Sequence, residues 1–336
     1  MTNLRNMDDL IIIIPGVMGS VLQRSNGQEA WGCKGGVFNN LVTLGKIAKC
    51  LALRADIGDS EPQDGVTASG LMPGLHLLPG FWGIDGYNEM IGSLRKSFNL
   101  HEVTSATPGN LLLFPYDWRL SNRVSAQKLK ETAERELDRW REHKKNKNAK
   151  LILICHSMGG LVARWFLEVL GGRMITKHLV TLGTPYQGSI DALSTLANGL
   201  TIDFGPIGVN LTELVRSLPS VYQLLPTYHC VDPGDKQLRL LTELKNVPNL
   251  DARRVENAAA FHYTIAEEIK KRSATGETAP YQITAIQGIK QPTAQSALLR
   301  TIGFPNPIQP IFSLNGDDWG GDGTVPRPSS RPPEFG

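Results

Sequence analysis

The chain has 336 residues, enough for one large α/β domain or two smaller ones. Charged residues make up 20% and the net charge is only +3; no basic stripe with interleaved aromatics occurs, which argues against nucleic acid as a partner. The four cysteines, Cys33, Cys50, Cys155 and Cys230, lie far apart with no C-x-x-C, which disfavours a metal site or a dense disulfide framework. A Cys33–Cys50 pair is conceivable only under oxidising conditions, and no cofactor is expected. The polar N-terminus runs straight into a strand, without a signal-peptide pattern or a bilayer-spanning apolar run, so a soluble, cytoplasmic protein is expected.

Leu10-Ile-Ile-Ile-Ile14, stopped by Pro15-Gly16, has the continuous β-branched character of a central strand covered on both faces. Residues 30–86 show no period. Their apolar residues among Gly and Pro, densest at 71–83, suggest a lid loop over an apolar site or a static loop packed on the core. A helix is expected over 87–98, with Met90, Ile91, Leu94 and Phe98 on one face. A strand follows at 111–114, ending in Pro115-Tyr-Asp-Trp-Arg119. The next helix, capped by Ser121 or Asn122, runs to about Lys145 with Leu129, Ala133, Leu137 and Trp140 as its buried stripe. Its charge-rich face, 128–150, reads as solvated.

Leu151-Ile-Leu-Ile-Cys-His-Ser157-Met-Gly-Gly160 then takes a buried strand through a tight turn into a helix, with Ser157 at the tip. A hydroxyl on such a turn projects from the sheet edge among the first N–H groups of the helix, a geometry suited to a nucleophile attacking a carbonyl. The bland reading is a simple N-cap serine. In the G-x-S-x-G pattern the first glycine is replaced here by Cys155, another small residue. A strand at 177–182 follows. The alternation of strand and helix over 111–182 argues for a mostly parallel sheet with helices on both faces. Residues 186–280 read as a cap of helical pieces, including a helix over 251–271. Strands are expected at 281–287, near 297–303 and near 309–314, before the Asp-Gly-rich run 315–326.

Taken together, Ile14-Pro-Gly-Val-Met-Gly-Ser20, Pro115-Tyr-Asp-Trp-Arg119, His156-Ser-Met-Gly-Gly160, Thr181-Leu-Gly-Thr-Pro185 and Gly321-Asp-Gly-Thr-Val-Pro326 resemble the lecithin:cholesterol acyltransferase family of α/β hydrolases, in its order and across nearly the whole chain. Gln287-Gly-Ile-Lys-Gln-Pro-Thr293 extends the match. The resemblance implies an α/β-hydrolase fold with a lid (about 30–86) and a cap (about 186–280) in a single domain. It implies a Ser–Asp–His triad with Ser157 as nucleophile and Asp322 as the acid that orients the imidazole. By spacing alone Asp317 or Asp318 could serve equally. Oxyanion donors are implied at the backbone N–H groups of Val17 and Met158, with Met18 second to Val17. Water or an alcohol such as a sterol would accept the acyl group from the serine.

The family's catalytic His follows the acid, and none of the seven histidines here follows Asp322. The family's last strand is not evident either. Three accounts stand: the sequence is part of a longer protein with further domains, an upstream His262 or His229 substitutes, or the chain is a catalytically inactive interaction module. His156 and His178 read as structural. The expected function is a serine-dependent lipid ester hydrolase or O-acyltransferase with possible peripheral contact at a membrane surface. A general carboxylesterase or thioesterase is the enzymatic alternative.

Overall fold

The computed structural model describes residues 4–32, 49–73, 87–204, 207–277, 279–300 and 304–335. In chain order the elements that matter for the site are β1 (Leu10–Ile14), β2 (Ser20–Arg24), β3 (Glu29–Trp31), β4 (Val66–Leu71), α1 (Tyr87–Ser97), β5 (Leu111–Leu113), α2 (Asn122–Lys144), β6 (Leu151–His156), α3 (Met158–Glu168), β7 (Thr176–Leu182), α4 (Ile190–Asn198), α5 (Ala252–Ala274), β8 (Gln282–Ile286), β9 (Ser296–Leu299) and β10 (Ile308–Ile311).

Five strands make the central sheet, in the order β8-β7-β6-β1-β5, and every pairing is parallel. β1 lies at its heart, paired on both sides, and its five residues are almost wholly buried. Side chains alternate across a strand, so β1 serves two layers at once. Leu10, Ile12 and Ile14 join the cluster that holds Leu129 and Leu137 of α2 and Leu161 and Phe166 of α3. Ile11 and Ile13 join Tyr87 and Ile91 of α1 on the opposite face. Each such side chain contributes about 2 kcal/mol of hydrophobic stabilisation. A parallel sheet with helices on both faces and a serine at a strand-to-helix turn is the α/β-hydrolase arrangement, as expected from the sequence.

The long amphipathic helix also forms as expected. The Ser121 hydroxyl, not Asn122, caps α2 by accepting from Arg123 N–H, and Leu129, Ala133, Leu137 and Trp140 are all buried. Arg141, His143 and Lys144 in its last turn complement the negative end of the helix dipole. Between β7 and β8 lie α4, a hairpin pairing Thr201–Phe204 with Ile207–Asn210, two short helices within 212–222, and α5. β9, β10 and Val231–Asp232 form a separate three-stranded sheet.

The structure departs from the sequence reading near the N-terminus. β2, β3 and β4 pair as an antiparallel sheet in the order β3-β2-β4, so part of the presumed lid is regular structure. Register shifts between Val21 and Leu22 and between Leu22 and Gln23 interrupt the alternation, and the half-exposed residues of β4 carry little apolar signal. Residues 74–83 of the expected cover, and Cys33 of the conceivable disulfide, lie outside the described residues.

A buried arginine ties this N-terminal region to the central sheet. Arg119 is fully buried, its guanidinium bidentate on Asp117 and donating to Asp64 Oδ2 at 2.7 Å and Leu51 O at 3.4 Å. Arg119→Ala leaves Asp117 in the interior without its cation. The variant is expected to lose about 3 kcal/mol of unfolding free energy in urea titration; a loss below about 1 kcal/mol would show that the pair holds nothing together.

Candidate active site

β6 delivers its chain to the C-terminal edge of the sheet, where the backbone reverses at Ser157. The residue has φ 50° and ψ −124°, a combination that L-residues rarely adopt. Three hydrogen bonds hold it there. Ser157 N–H donates to Leu182 O at the end of β7 (2.8 Å), and Gly160 N–H and the Thr184 hydroxyl both donate to Ser157 O (2.9 Å each).

The two glycines after the serine answer to different neighbours. A Cβ at Gly159 would lie 2.4 Å from Pro15 O, and one at Gly160 would lie 2.1 Å from Thr184 Oγ1. Cys155 is completely buried in β6, so a small side chain is accommodated where the usual motif has glycine. The Ser157 hydroxyl is itself buried and has no hydrogen-bond partner among the described residues.

Over the serine sits the turn after β1. Gly19 N–H closes it on Gly16 O (3.1 Å), and Met18 takes a left-handed φ of 59°. Gly16 lies so close that a Cβ on it would be 3.0 Å from Ser157 Cβ. Val17 therefore belongs to a turn packed on the elbow, while Met158 opens α3, where the first N–H groups of a helix have no intrahelical partner.

Four aromatic side chains hold this turn by their polar tips. Tyr116 O–H donates to Pro15 O (2.9 Å), Trp31 Nε1–H to Met18 O (3.1 Å) and Trp118 Nε1–H to Ser20 O (3.1 Å), while Tyr87 Oη accepts from Gly16 N–H (2.9 Å). The Pro-Tyr-Asp-Trp-Arg run is thus a cradle for the turn beside the serine, a role invisible in its spacing.

Of the three aspartates left open by the sequence, the structure separates one. Asp317 and Asp318 are exposed, and Asp318 accepts from Gln295 Nε2 and Gly320 N–H. Asp322 lies over the ends of β7 and β8. A Cβ at Gly183 would be 2.9 Å from its Oδ2, and one at Gly288 would be 2.3 Å from its Cβ. Its Oδ1 accepts from the N–H groups of Thr324 (3.0 Å) and Val325 (2.7 Å), which anchor the carboxylate. Gly183 follows Leu182, the residue that accepts the Ser157 amide, so Asp322 and Ser157 occupy neighbouring strand ends at one edge of the sheet. The loop is tied down by the Ser189 hydroxyl, which donates to Thr324 O at 2.6 Å.

The described histidines are engaged elsewhere or exposed. His262 accompanies a cavity of about 520 Å³ between α3 and α5, which Ser157 does not line; its Nε2 bonds Gln223 O at 2.8 Å, and burial pushes its pKa down to about 4. His229 is exposed, and His178 bonds Thr284 Oγ1 at 2.8 Å. His156 meets the Tyr87 hydroxyl at 3.2 Å. Neither upstream candidate base, His262 or His229, is hydrogen-bonded to the Ser157 hydroxyl. Among the described residues no group of His, Cys, Asp and Glu converges as a metal site, and no helix is long and apolar enough to cross a membrane.

The family model for lecithin:cholesterol acyltransferase (LCAT) matches residues 98–264, a span that holds Tyr116 and Trp118 of the aromatic cradle, the serine elbow and the end of β7. About half of the chain is thus similar to the LCAT family. The phospholipid–sterol O-acyltransferase of Arabidopsis thaliana is 30% identical over 134 residues, covering 34% of this chain and 20% of the plant protein, so the chain spans about a fifth of that relative. Among solved structures, a chain of the Tle4–Tli4 complex aligns with a TM-score of 0.47 and 18% identity over 84% of this chain and 74% of that one. Bacillus licheniformis lipase BlEst2 in mature form gives 0.25 and 14% over 56% and 46%. The LCAT match leaves outside it both the turn at 14–20 and the Asp322 loop.

A second carboxyl beside Asp322 escaped the sequence reading. Asp191, in the first turn of α4, has its pKa pushed up to about 7 by burial, with the nearby charge of Asp322 adding to the effect. Only the fold brings the two together, so no local pattern could announce it. A carboxyl that is harder to ionise in the folded chain stabilises the fold while protonated; that contribution is full below about pH 4 and is lost as pH rises towards 7. Asp191→Asn should therefore gain on wild type across this window, by about 1–3 kcal/mol at pH 8 in urea titrations. A stability difference that does not vary with pH would contradict the strained pair.

The elbow makes its own prediction. Gly159→Ala must push Pro15 away from the serine turn and is expected to cost about 3 kcal/mol or more, as overpacking against rigid backbone does. A Tm within about 2 °C of wild type would mean that the turn yields freely.

Proposed function

We propose that this LCAT-like protein is a serine-dependent lipid ester hydrolase or O-acyltransferase that works through an acyl-enzyme on Ser157. The observation that carries the reading is the strained serine elbow with an anchored carboxylate, Asp322, on the neighbouring strand end. Ser157 Oγ attacks the ester carbonyl, the N–H groups of Val17 and Met158 stabilise the oxyanion, and the alcohol leaves. Water or a second alcohol then takes the acyl group from the serine. Asp322 stands where the acid of a triad orients a base imidazole, which would take the serine proton and pass it to the departing alcohol; no described histidine bonds the Ser157 hydroxyl. Each oxyanion donor is worth about 3 kcal/mol to the transition state. What supports the lipid class of ester is the family match and the plant relative, which is called a phospholipid–sterol O-acyltransferase.

Fluorophosphonate labelling tests the first half of this chemistry, because such probes react readily only with a serine activated by a nearby base. Labelling that disappears in Ser157→Ala is the expected result, and Asp322→Asn should slow it by about 10⁴-fold, as amide replacement of a triad aspartate does. A folded chain that does not label would overturn a self-sufficient catalytic centre in these 336 residues.

A series of p-nitrophenyl esters tests the lipid part. kcat/KM should rise from acetyl to palmitoyl, since each buried methylene contributes about 0.8 kcal/mol. Equal values along the series would favour a general carboxylesterase.

A further inference from the structure

Tyr87 connects two parts of the site. Its hydroxyl lies between the turn after β1 and the residue just before the serine. Gly16 N–H donates to Tyr87 Oη at 2.9 Å, and Tyr87 Oη is 3.2 Å from His156 Nδ1. The phenol is 5% exposed, and burial raises its pKa, so it stays protonated at neutral pH. His156 keeps some accessible surface, yet its ring lies deep enough that burial pushes its pKa down to about 4 and leaves it neutral.

Both groups are therefore neutral, and the tautomer of His156 sets the direction of the bond between them. A neutral imidazole accepts at one nitrogen, and the phenol has one hydrogen to give. Gly16 N–H donates to the phenol oxygen, and in the His156 tautomer that carries its proton on Nε2 the phenol O–H donates to His156 Nδ1. The other three aromatic anchors grip carbonyls of Pro15, Met18 and Ser20 and fix the outer side of the turn. Tyr87 grips an amide on the side facing the elbow. The space there is tight: a Cβ at Gly16 would meet His156 Nδ1 at 2.8 Å and Ser157 Cβ at 3.0 Å, and one at Gly19 would meet Tyr87 Oη at 2.7 Å.

We propose that Tyr87 is a positioning residue whose hydroxyl, bridging Gly16 N–H and His156 Nδ1, sets the height of the Gly16–Gly19 turn over Ser157 and with it the place of the Val17 amide. The proposal rests on the serine-hydrolase reading for its catalytic consequence, but not for the tether itself. Tyr87 does not touch the reacting atoms. It acts through the turn, and misplacing a donor by about 1 Å can cost on the order of 100-fold in rate.

The experiment compares wild type with Tyr87→Phe in the full chain by two readouts: the fluorophosphonate labelling rate at Ser157 and hydrogen exchange at the Gly16 amide. The expected result is labelling slowed about 10- to 100-fold, less than outright loss of an oxyanion donor, and Gly16 exchange accelerated about tenfold or more. In the ester assay the loss should fall on kcat, with KM within about twofold, since the interaction lost matters in the transition state.

Should Tyr87→Phe fail to fold, His156→Leu and His156→Asn replace it. The leucine removes the acceptor and should reproduce both effects more weakly, while the asparagine oxygen can still accept and should recover most of them. Wild-type labelling together with unchanged Gly16 exchange in Tyr87→Phe overturns the proposal, and so does a leucine variant that matches the asparagine one. If wild type itself does not label, the serine-hydrolase reading has failed, and the tether stands or falls on Gly16 exchange alone.

Discussion

A serine held at φ 50° and ψ −124° sits in a backbone conformation that costs about 1–3 kcal/mol and persists only where its surroundings over-determine it. Those surroundings are assembled from three neighbouring strands. β7 supplies the acceptor for the Ser157 amide through Leu182, the loop after β7 supplies the Thr184 hydroxyl, and the end of β1 presses Pro15 O against Gly159. The elbow is thus a consequence of the order β7-β6-β1 in the sheet. Burial of the five residues of β1, at about 2 kcal/mol each, comfortably exceeds the strain stored in one residue.

The same constraint explains why so many aromatic groups surround the turn after β1. A turn packed within van der Waals contact of the serine has no room for side chains of its own at Gly16 and Gly19. It has to be held from outside, by groups long enough to reach in with a hydrogen-bonding tip. Tyr and Trp combine an apolar body that fills the core with one polar atom at its end. Trp31, Tyr116 and Trp118 do this within the main core, and Tyr87 does it from the opposite layer of the sheet. The turn is therefore clamped between both faces of the molecule.

Charge is arranged with equal economy. Arg119 is buried with Asp117 and Asp64, and Arg164 is buried with Glu168, Glu334 and Tyr281. Both cations have carboxylates in contact. Asp191 contrasts with them: burial raises its pKa, and the charge that adds to the effect is another carboxylate, Asp322. A carboxyl so perturbed near Asp322 follows the pattern in which perturbed titration gathers at functional positions.

Much of this was legible in the residue order. Local pattern determined β1, the buried stripe of α2, the β6–α3 elbow and the parallel alternation, because burial on both faces and helical periodicity write themselves into consecutive residues. The motifs also pointed to an LCAT-like chain and to Ser157 and Asp322. The strands β2 and β4 were hidden by bulges that break the two-residue period. Tertiary structure alone shows that Asp322 stands over the strand ends, and it alone decided which hydroxyl grips the Gly16 amide 71 residues away and where His262 points. The reason is physical. Sequence encodes which faces must leave water, whereas a hydrogen bond or a charge pair between distant segments depends on distances of a few ångströms that exist only once the whole sheet has closed.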